Sequence, residues 1–95
     1  MFDLTSAAQA LKARMVGGNV DIERVCTDSR KVRAGDLFVA LKGDNYDGHS
    51  YVDAALDAGA IAVVVSDLQA VKTRSARVLE VADTRIALGQ LAAWW

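Results

Sequence analysis

Two clusters of hydrogen-bonding side chains are the parts of this sequence that could hold a polar ligand. The first is Thr27-Asp28-Ser29-Arg30, and the second is Lys42-Gly43-Asp44-Asn45-Tyr46-Asp47-Gly48-His49-Ser50. The hydroxyls of Thr27 and Ser29 can donate to, or accept from, a sugar or the edge of a base. The Arg30 guanidinium can donate two parallel hydrogen bonds to a phosphate or to the neighbouring Asp28. A plain turn with a solvated Arg30 is an equally good interpretation of the first cluster from spacing alone.

The second cluster is close to the phosphate-binding pattern G-x-x-x-x-G-K-[ST], but His49 stands in the place of the lysine. A free histidine is mostly neutral near pH 7, so it cannot supply the fixed charge that a triphosphate needs. Asp44 and Asp47 would also repel a triphosphate, which argues against ATP hydrolysis by this loop. The glycines still allow close approach of the backbone, and free amides at the start of a helix from Ser50 could hold a diphosphate.

Two other residues of this cluster have a functional and a structural interpretation. Tyr46 could stack on a base, or it could lie over apolar surface. We interpret His49 as a hydrogen-bonding residue at a helix start, because no acid–base pair, metal cluster or nucleophile–base pair accompanies it. The residues by themselves therefore predict binding without catalysis.

Apolar runs predict the elements that position these clusters. Strands are predicted over residues 20–27, 37–41, 61–65 and 78–81. Helices are predicted from Thr5 or Ser6 through Met15 to the glycines at 17 and 18, from Ser50 with Asp53 as an approximate capping-box partner, and from Asp83 or Thr84 onward. The order α-β-β-α-β-β-α predicts an α/β fold in which helices flank a sheet of about four strands. Both polar clusters follow strands, which is where such folds hold ligands.

Length and composition limit the class of protein. The 95 residues make one domain, and the net charge of -1 comes without a basic stripe, which argues against a nucleic-acid partner. We find no secretory signal and no segment near the ~18 apolar residues of a membrane span, so we expect a cytoplasmic protein. Cys26 lies in an apolar run and is predicted to be a buried structural thiol rather than a nucleophile.

The last predicted helix reaches Trp94 and Trp95 without a Gly, Asn or Pro to close it. We therefore expect that the chain has been cut here and that more protein follows. The alternative is a docked C-terminal helix with buried indoles.

Over residues 27–49 the sequence resembles the N-terminal domain of the Mur ligases. The pattern is T-D-S-R-x4-G-D-L-F-V-A-L-K-G-x3-D-G-H, and the segments over residues 52–65 and 78–84 fit as well. The resemblance implies a mixed sheet of about four strands flanked by helices, with a UDP-sugar-peptide-binding domain over residues 1–83. Residues 84–95 would begin a helix that leads into an ATP-binding central domain absent from this chain.

The Mur ligases are bacterial cytoplasmic enzymes that build the peptide of the peptidoglycan precursor. The pattern looks most like the member that adds D-alanyl-D-alanine to UDP-N-acetylmuramoyl-tripeptide. The sibling that adds the third residue, lysine or diaminopimelate, is the alternative. The resemblance implies ATP and magnesium as cofactors of the full-length enzyme, which forms an acyl phosphate that the incoming amine attacks. We expect no cofactor, metal site or catalytic residue in these 95 residues, because the family's catalytic lysines and magnesium ligands have no counterpart here.

Carried over position by position, the family's uridine-diphosphate contacts fall on Thr27, Ser29, Asp44, Asn45 and Tyr46. Supporting roles are expected for Arg30, Lys42, Gly43 and Asp47. Two other classes of function stay open: a small phosphate-binding enzyme that uses the loop at residues 43–50, and an interaction module that docks through Trp94 and Trp95.

Overall fold

The structure is a computed structural model that describes residues 2–73 and 75–94. It contains strands that pair in both parallel and antiparallel directions, together with three α-helices in the described residues. The strands are β1 (Phe2–Asp3), β2 (Arg14–Val16), β3 (Asp21–Ile22), β4 (Arg24–Cys26), β5 (Asp36–Val39), β6 (Ala62–Val65) and β7 (Val78–Glu80), and the α-helices are α1 (Leu4–Leu11), α2 (Val52–Asp57) and α3 (Thr84–Trp94). Single turns of 3-10 helix cover Ser29–Lys31, Gly48–Tyr51 and Leu68–Ala70.

The main sheet has five strands in the order β2-β7-β6-β5-β4. Strands β4 to β7 are parallel to one another, and β2 pairs antiparallel with β7. The predicted mixed α/β sheet is therefore confirmed, with one strand more than expected. A separate two-stranded sheet joins β1 to β3.

The fifth strand is β2, which the sequence analysis wrongly placed inside the first helix. That helix ends at Leu11, and Lys12 follows it in the left-handed conformation at φ 52°. Met15 then pairs with Leu79 of β7, so a long-range partner overrides the local helical spacing. The start was also misplaced, because the Asp3 carboxylate caps the helix by accepting from the Ser6 amide at 2.9 Å.

The single strand predicted over residues 20–27 is divided into β3 and β4, which belong to different sheets. The division falls at Glu23, whose amide donates to the Gly35 carbonyl instead of to either sheet neighbour. Cys26 at the end of β4 is buried, as predicted, and its Sγ donates to the Asp28 carbonyl at 3.1 Å.

Apolar residues cover both faces of the sheet because side chains alternate along each strand. On one face, Leu37, Val39 and Val64 pack with α1 and α3. On the other face, Phe38 and Val63 pack with α2. In α3, the side chains that join the core are Ala87 and Leu91, so this helix docks on the same core as the rest. The division of the chain at residue 83 stays a prediction.

An ion pair between a buried aspartate and a partly exposed arginine fixes the amino end of β5. The Asp36 side chain is 1% exposed and accepts from Arg24 Nε at 3.0 Å and from Arg24 Nη2 at 2.7 Å. It also accepts from the Arg33 amide at 2.8 Å. The Arg24 guanidinium holds the pKa of the Asp36 carboxyl below its usual value. Asp36 is thus structural, and it lies at the opposite end of β5 from the polar clusters.

Candidate functional site

A cleft of about 610 Å³ opens at the carboxyl edge of the parallel strands. The chain that leaves β4, the chain that leaves β5 and the first turn of α3 meet there, because the carboxyl ends of parallel strands share one edge of a sheet. The lining residues are Thr27, Asp28, Ser29, Arg30, Leu41, Lys42, Gly43, Tyr46, Tyr51 and Arg85.

Asp28 and Arg30 form a closed pair on one wall of this cleft. Oδ1 of Asp28 accepts from the amide and the Nε of Arg30, and Oδ2 accepts from Nη2 at 3.1 Å. The hydrogen bonds from Arg30 lower the pKa of the Asp28 carboxyl, and the same pair raises the pKa of Arg30. Of the two partners that the sequence left open for Arg30, the structure shows the carboxylate.

The chain after β5 forms a narrow turn over residues 42–47. Lys42 and Asp47 form an isolated antiparallel bridge, and the Gly43 amide donates to the Tyr46 carbonyl at 2.6 Å. The Gly48 amide then donates to the Leu41 carbonyl at 2.6 Å. A Cβ on Gly48 would lie 2.9 Å from the Leu41 backbone nitrogen, so this position has no room for a side chain. The close approach of two backbone segments explains the glycine.

His49 joins this turn to the end of β6. Its Nδ1 lies 2.7 Å from Asp47 Oδ1, and its Nε2 accepts from the Ser66 amide at 3.0 Å. A neutral ring with the proton on Nδ1 satisfies both contacts, because Nε2 must then be the acceptor. The two hydrogen bonds from His49 lower the pKa of the Asp47 carboxyl. The prediction that His49 is a hydrogen-bonding residue at a helix start is confirmed.

The backbone amides at the start of this helical turn are already occupied, which contradicts the expectation that they could hold a diphosphate. The amides of Gly48, His49 and Ser50 donate to the Leu41 carbonyl, the Asp47 carboxylate and the Asp47 carbonyl. Each of the four parallel strands is in fact followed by an aspartate that accepts from an amide of the next turn. These aspartates are Asp28, Asp47, Asp67 and Asp83.

The capping box predicted at Ser50 and Asp53 is also wrong. Asp47 caps the helical turn that begins at Gly48, and Asp53 instead accepts from the amide and hydroxyl of Thr73 at 3.2 and 2.8 Å. The loop therefore does not fit ATP and magnesium, since the amides of its glycines and of His49 and Ser50 are used and its histidine is engaged on both nitrogens. Within residues 2–73 and 75–94, no group of three or more His, Cys, Asp or Glu side chains could hold a metal ion.

Tyr46 and Tyr51 form an aromatic wall of the cleft. Their ring centroids are 5.7 Å apart and their planes differ by 12°, so the two rings stack. Both side chains are partly exposed, at 43% and 44%. A third flat ring can stack on such a wall without displacing any packed side chain.

Lys42 and Arg85 are the cations of the cleft whose charged ends remain available. Neither side chain has a hydrogen bond or ion pair in the part of the chain that the structure describes, whereas Arg30 is paired with Asp28. Three cations and one carboxylate line the cleft, a net charge of +2 on a chain whose net charge is -1. The electrostatics of the cleft therefore favour an anionic ligand.

The structure brings most of the predicted site residues together. The cleft contains Thr27, Ser29, Arg30, Lys42, Gly43 and Tyr46. Asp44 and Asn45 lie exposed at the tip of the turn and outside the lining, and Asp47 points to His49. The roles of all nine residues stay predictions. The sequence analysis missed Tyr51 and Arg85. Arg85 could have been found, because it directly follows the predicted helix cap at residues 83–84, just after a predicted strand.

Two further expectations concern membranes and docking. Of the helices in the described ranges, none combines the length and the apolar content that crossing a bilayer requires. Trp94 is 43% exposed and meets Phe2 edge-on, with ring centroids 5.5 Å apart. Trp95 lies outside the described residues, so docking through both tryptophans stays a prediction.

Comparison with known proteins places this arrangement in a family. The model described as "Mur ligase family, catalytic domain" matches residues 21–95. UDP-N-acetylmuramoyl-tripeptide–D-alanyl-D-alanine ligase of Haemophilus influenzae is 48% identical over 88 residues, which are 92% of this chain and 19% of that protein. UDP-N-acetylmuramoyl-L-alanyl-D-glutamate–2,6-diaminopimelate ligase of Parabacteroides distasonis is 39% identical over 95 residues, which are 98% of this chain and 20% of that protein.

The same similarity holds in three dimensions. A crystal structure of MurF from Acinetobacter baumannii matches with a TM-score of 0.84 and 33% identity, over 98% of this chain and 20% of that one. The chain spans about a fifth of the length of the relatives it matches. Fold, motif pattern and sequence identity agree, and this chain belongs to the Mur ligase family.

Proposed function

We propose that this chain is the nucleotide-sugar-binding domain of a ligase that adds D-alanyl-D-alanine to UDP-N-acetylmuramoyl-tripeptide. The observation that carries the proposal is the cleft at the carboxyl edge of the sheet, with its net charge of +2 and its stacked tyrosines. A uridine diphosphate has a flat base, a sugar with hydroxyls and an anionic diphosphate. The cleft offers a complementary feature for each of these three parts.

The size and the polar groups of the cleft support this assignment. Its volume of about 610 Å³ is within the range of small-molecule sites. The hydroxyls of Thr27 and Ser29 line the cleft together with the turn at residues 42–47 and can bond a base edge or a ribose. Tyr46 would stack on the uracil. Asp44 and Asn45 would act through the exposed tip of the turn, where a longer ligand leaves the cleft.

Relatives favour one member of the family over its sibling. The protein from Haemophilus influenzae, named as a tripeptide–D-alanyl-D-alanine ligase, shares more identity with this chain than the diaminopimelate ligase from Parabacteroides distasonis. The addition of the third residue, lysine or diaminopimelate, remains the alternative. Both use a UDP-linked muramoyl peptide according to their names, so the proposed cleft could bind the nucleotide of either substrate.

Amide-bond formation is assigned to parts of a longer enzyme. The loop at residues 43–50 does not fit ATP and magnesium, and this chain covers only 19% of the length of its Haemophilus influenzae relative. We therefore propose that ATP, magnesium and D-alanyl-D-alanine are bound by the rest of such an enzyme, with this domain holding the nucleotide end of the substrate. The proposed compartment is the cytoplasm, where the family works.

Titration of this 95-residue protein with UDP-N-acetylmuramoyl-tripeptide, followed by amide chemical shifts, tests the proposal. We expect the shifts to cluster at residues 27–30, 42–46, 51 and 85. Shifts confined to another surface, or no shifts at millimolar ligand, would contradict it. In parallel, a phosphate-release assay with ATP and magnesium should stay flat for the wild type and for His49→Lys. Turnover in that assay would favour the phosphate-binding enzyme instead.

A further inference from the structure

We propose that Lys42 and Arg85 together hold the diphosphate of the bound nucleotide, and that Arg30 does not. The inference rests on the proposed function, because it assigns the phosphate contacts within the same cleft. It also assigns a ligand-binding role to α3, the helix to which the sequence analysis gave no part in the site.

Arg30 is less suited to the task because its charge is offset by a carboxylate. Its Nε and Nη2 bond the Asp28 carboxylate, which takes one of the two bidentate edges of the guanidinium. Asp28 stays in the cleft, where its side chain is 30% exposed, and its negative charge would repel a phosphate that approached the remaining edge of Arg30. A phosphate at Arg30 would therefore gain less than a phosphate at an unpaired cation.

The first backbone amides of the turns that follow the four parallel strands are not available either. The aspartates after the four strands accept from the first amides of the turns that follow, and Asp83 accepts from both Arg85 and Ile86 at the start of α3. These carboxylates also add negative charge to the edge where the ligand must sit. Side-chain cations are therefore the groups best placed to supply the attraction.

Lys42 and Arg85 meet this requirement and lie on neighbouring segments. A Cβ built at Gly43 would lie 3.9 Å from Arg85 Nη2, so the guanidinium reaches the turn that carries Lys42. Neither charged group has a partner in residues 2–73 and 75–94. A diphosphate between them would receive one cation from the chain after β5 and one from the chain after β7.

Binding of uridine diphosphate and of uridine, measured by calorimetry or by amide shifts, tests the inference. Lys42→Gln and Arg85→Gln keep most of the aliphatic stem and remove the charge. Each should weaken uridine diphosphate by about tenfold, because a charged hydrogen bond is lost at a partly exposed site. Uridine, which has no phosphate, should bind both variants within about twofold of the wild type.

Two matched controls separate a direct contact from a general charge effect. The double variant Asp28→Asn with Arg30→Gln leaves the net charge of the cleft unchanged, and it should weaken uridine diphosphate less than Lys42→Gln or Arg85→Gln does. Arg33→Gln removes the same charge at the opposite edge of the sheet, and its affinity for uridine diphosphate should stay within about twofold of the wild type. Thermal melts by circular dichroism establish that each variant is folded.

Hydrogen exchange gives a second measure that does not depend on affinity. Saturating uridine diphosphate should slow exchange in the first turn of α3 and in residues 42–47 of the wild type. In Arg85→Gln, only the second segment should be slowed. If uridine diphosphate slows exchange in α3 of Arg85→Gln as much as it does in the wild type, the inference is wrong.

The two proposals fail in different ways. If the wild type binds neither uridine diphosphate nor uridine, the proposed function is wrong and the inference falls with it. If the wild type binds uridine diphosphate while Lys42→Gln and Arg85→Gln bind it equally well, the inference alone is wrong. A large loss in the Asp28→Asn, Arg30→Gln double variant would instead assign the phosphate to Arg30.

Discussion

Replacing Asp36 by Asn tests whether an ion pair, rather than side-chain shape, holds the start of β5. The two side chains have nearly the same volume, so packing is preserved. The carboxylate accepts two hydrogen bonds from Arg24 and one from the Arg33 amide, and it is 1% exposed. An asparagine can accept with its oxygen, but its amide nitrogen would face a donor.

The expected loss follows from counting these contacts. With the amide oxygen at the position of Oδ2, the bonds from Arg24 Nη2 and the Arg33 amide survive, and the bond from Arg24 Nε is lost. One hydrogen bond to a charged group contributes about 1.5–3 kcal/mol. Arg24 is 42% exposed and can turn to water, which places the loss in the lower half of that range. We expect the free energy of unfolding to fall by about 2 kcal/mol at pH 7, and the melting temperature by about 10 °C.

The pH dependence of this difference has a definite sign. The Arg24 guanidinium depresses the pKa of Asp36 in the folded protein, so the unfolded chain takes up a proton first as the solution is acidified. The ion pair therefore stabilises the fold above the unfolded pKa of about 3.9, and this stability is lost as the pH falls through the folded pKa. The amide that replaces the carboxyl in Asp36→Asn cannot titrate. The difference in free energy of unfolding between the two proteins should therefore become smaller below about pH 4.

Urea unfolding of both proteins at pH 7, 5 and 3, followed by circular dichroism, measures this gap. Asp57→Asn is the matched control, because Asp57 is exposed and its side chain has no hydrogen bond or ion pair in the described ranges. It should change stability by less than about 0.5 kcal/mol. A gap for Asp36→Asn that is equally wide at pH 7 and pH 3 would refute the electrostatic account, as would a gap at pH 7 no larger than that of the control.

Three other substitutions test features of the cleft. Gly48→Ala should destabilise by about 2–3 kcal/mol, because the new Cβ would meet backbone at 2.9 Å, whereas Gly89→Ala in open space on α3 should stabilise by up to ~1 kcal/mol; equal melting temperatures would contradict the clash. His49→Leu should cost about 0.5–1.5 kcal/mol in urea unfolding, because the hydrogen bonds of the ring to Asp47 and to the exposed Ser66 amide are lost, and an unchanged midpoint would show that these bonds do not stabilise the fold. Tyr46→Leu should weaken uridine about fivefold by calorimetry while Tyr46→Phe keeps the affinity, since stacking needs the ring and not the hydroxyl; equal losses in both would argue against stacking.

The central strands and the position of the cleft were predictable because their signals are local. The apolar runs of β5 and β6 are buried on both faces, and such runs predict interior parallel strands without knowledge of the partner. The two polar clusters follow strands, and parallel strands share a carboxyl edge. For this reason Thr27, Ser29, Lys42 and Tyr46 could be assigned to one site before the fold was known.

Features that depend on distant partners were not predictable in this way. Residues 14–16 continue the helical spacing of α1, and only the pairing with β7 makes them a strand. Arg85 reaches the turn at residues 42–47 because β7 lies two strands from β5, and strand order is not visible in local pattern. The occupied amides were missed for a related reason, since the aspartates could equally have bonded solvent or a cation.

The placement of β7 between β2 and β6 has a consequence for how this chain can be shortened or synthesised. One of the first strands to emerge, β2, has β7 as its sole neighbour in the main sheet of the described residues, and β7 comes late in the sequence. A growing or truncated polypeptide that stops before Val78 would leave β2 unpaired and one side of β6 open, and open strand edges favour self-association. Shortened versions made for structural or screening work should therefore keep residues 78–94, even when only the proposed nucleotide cleft is of interest.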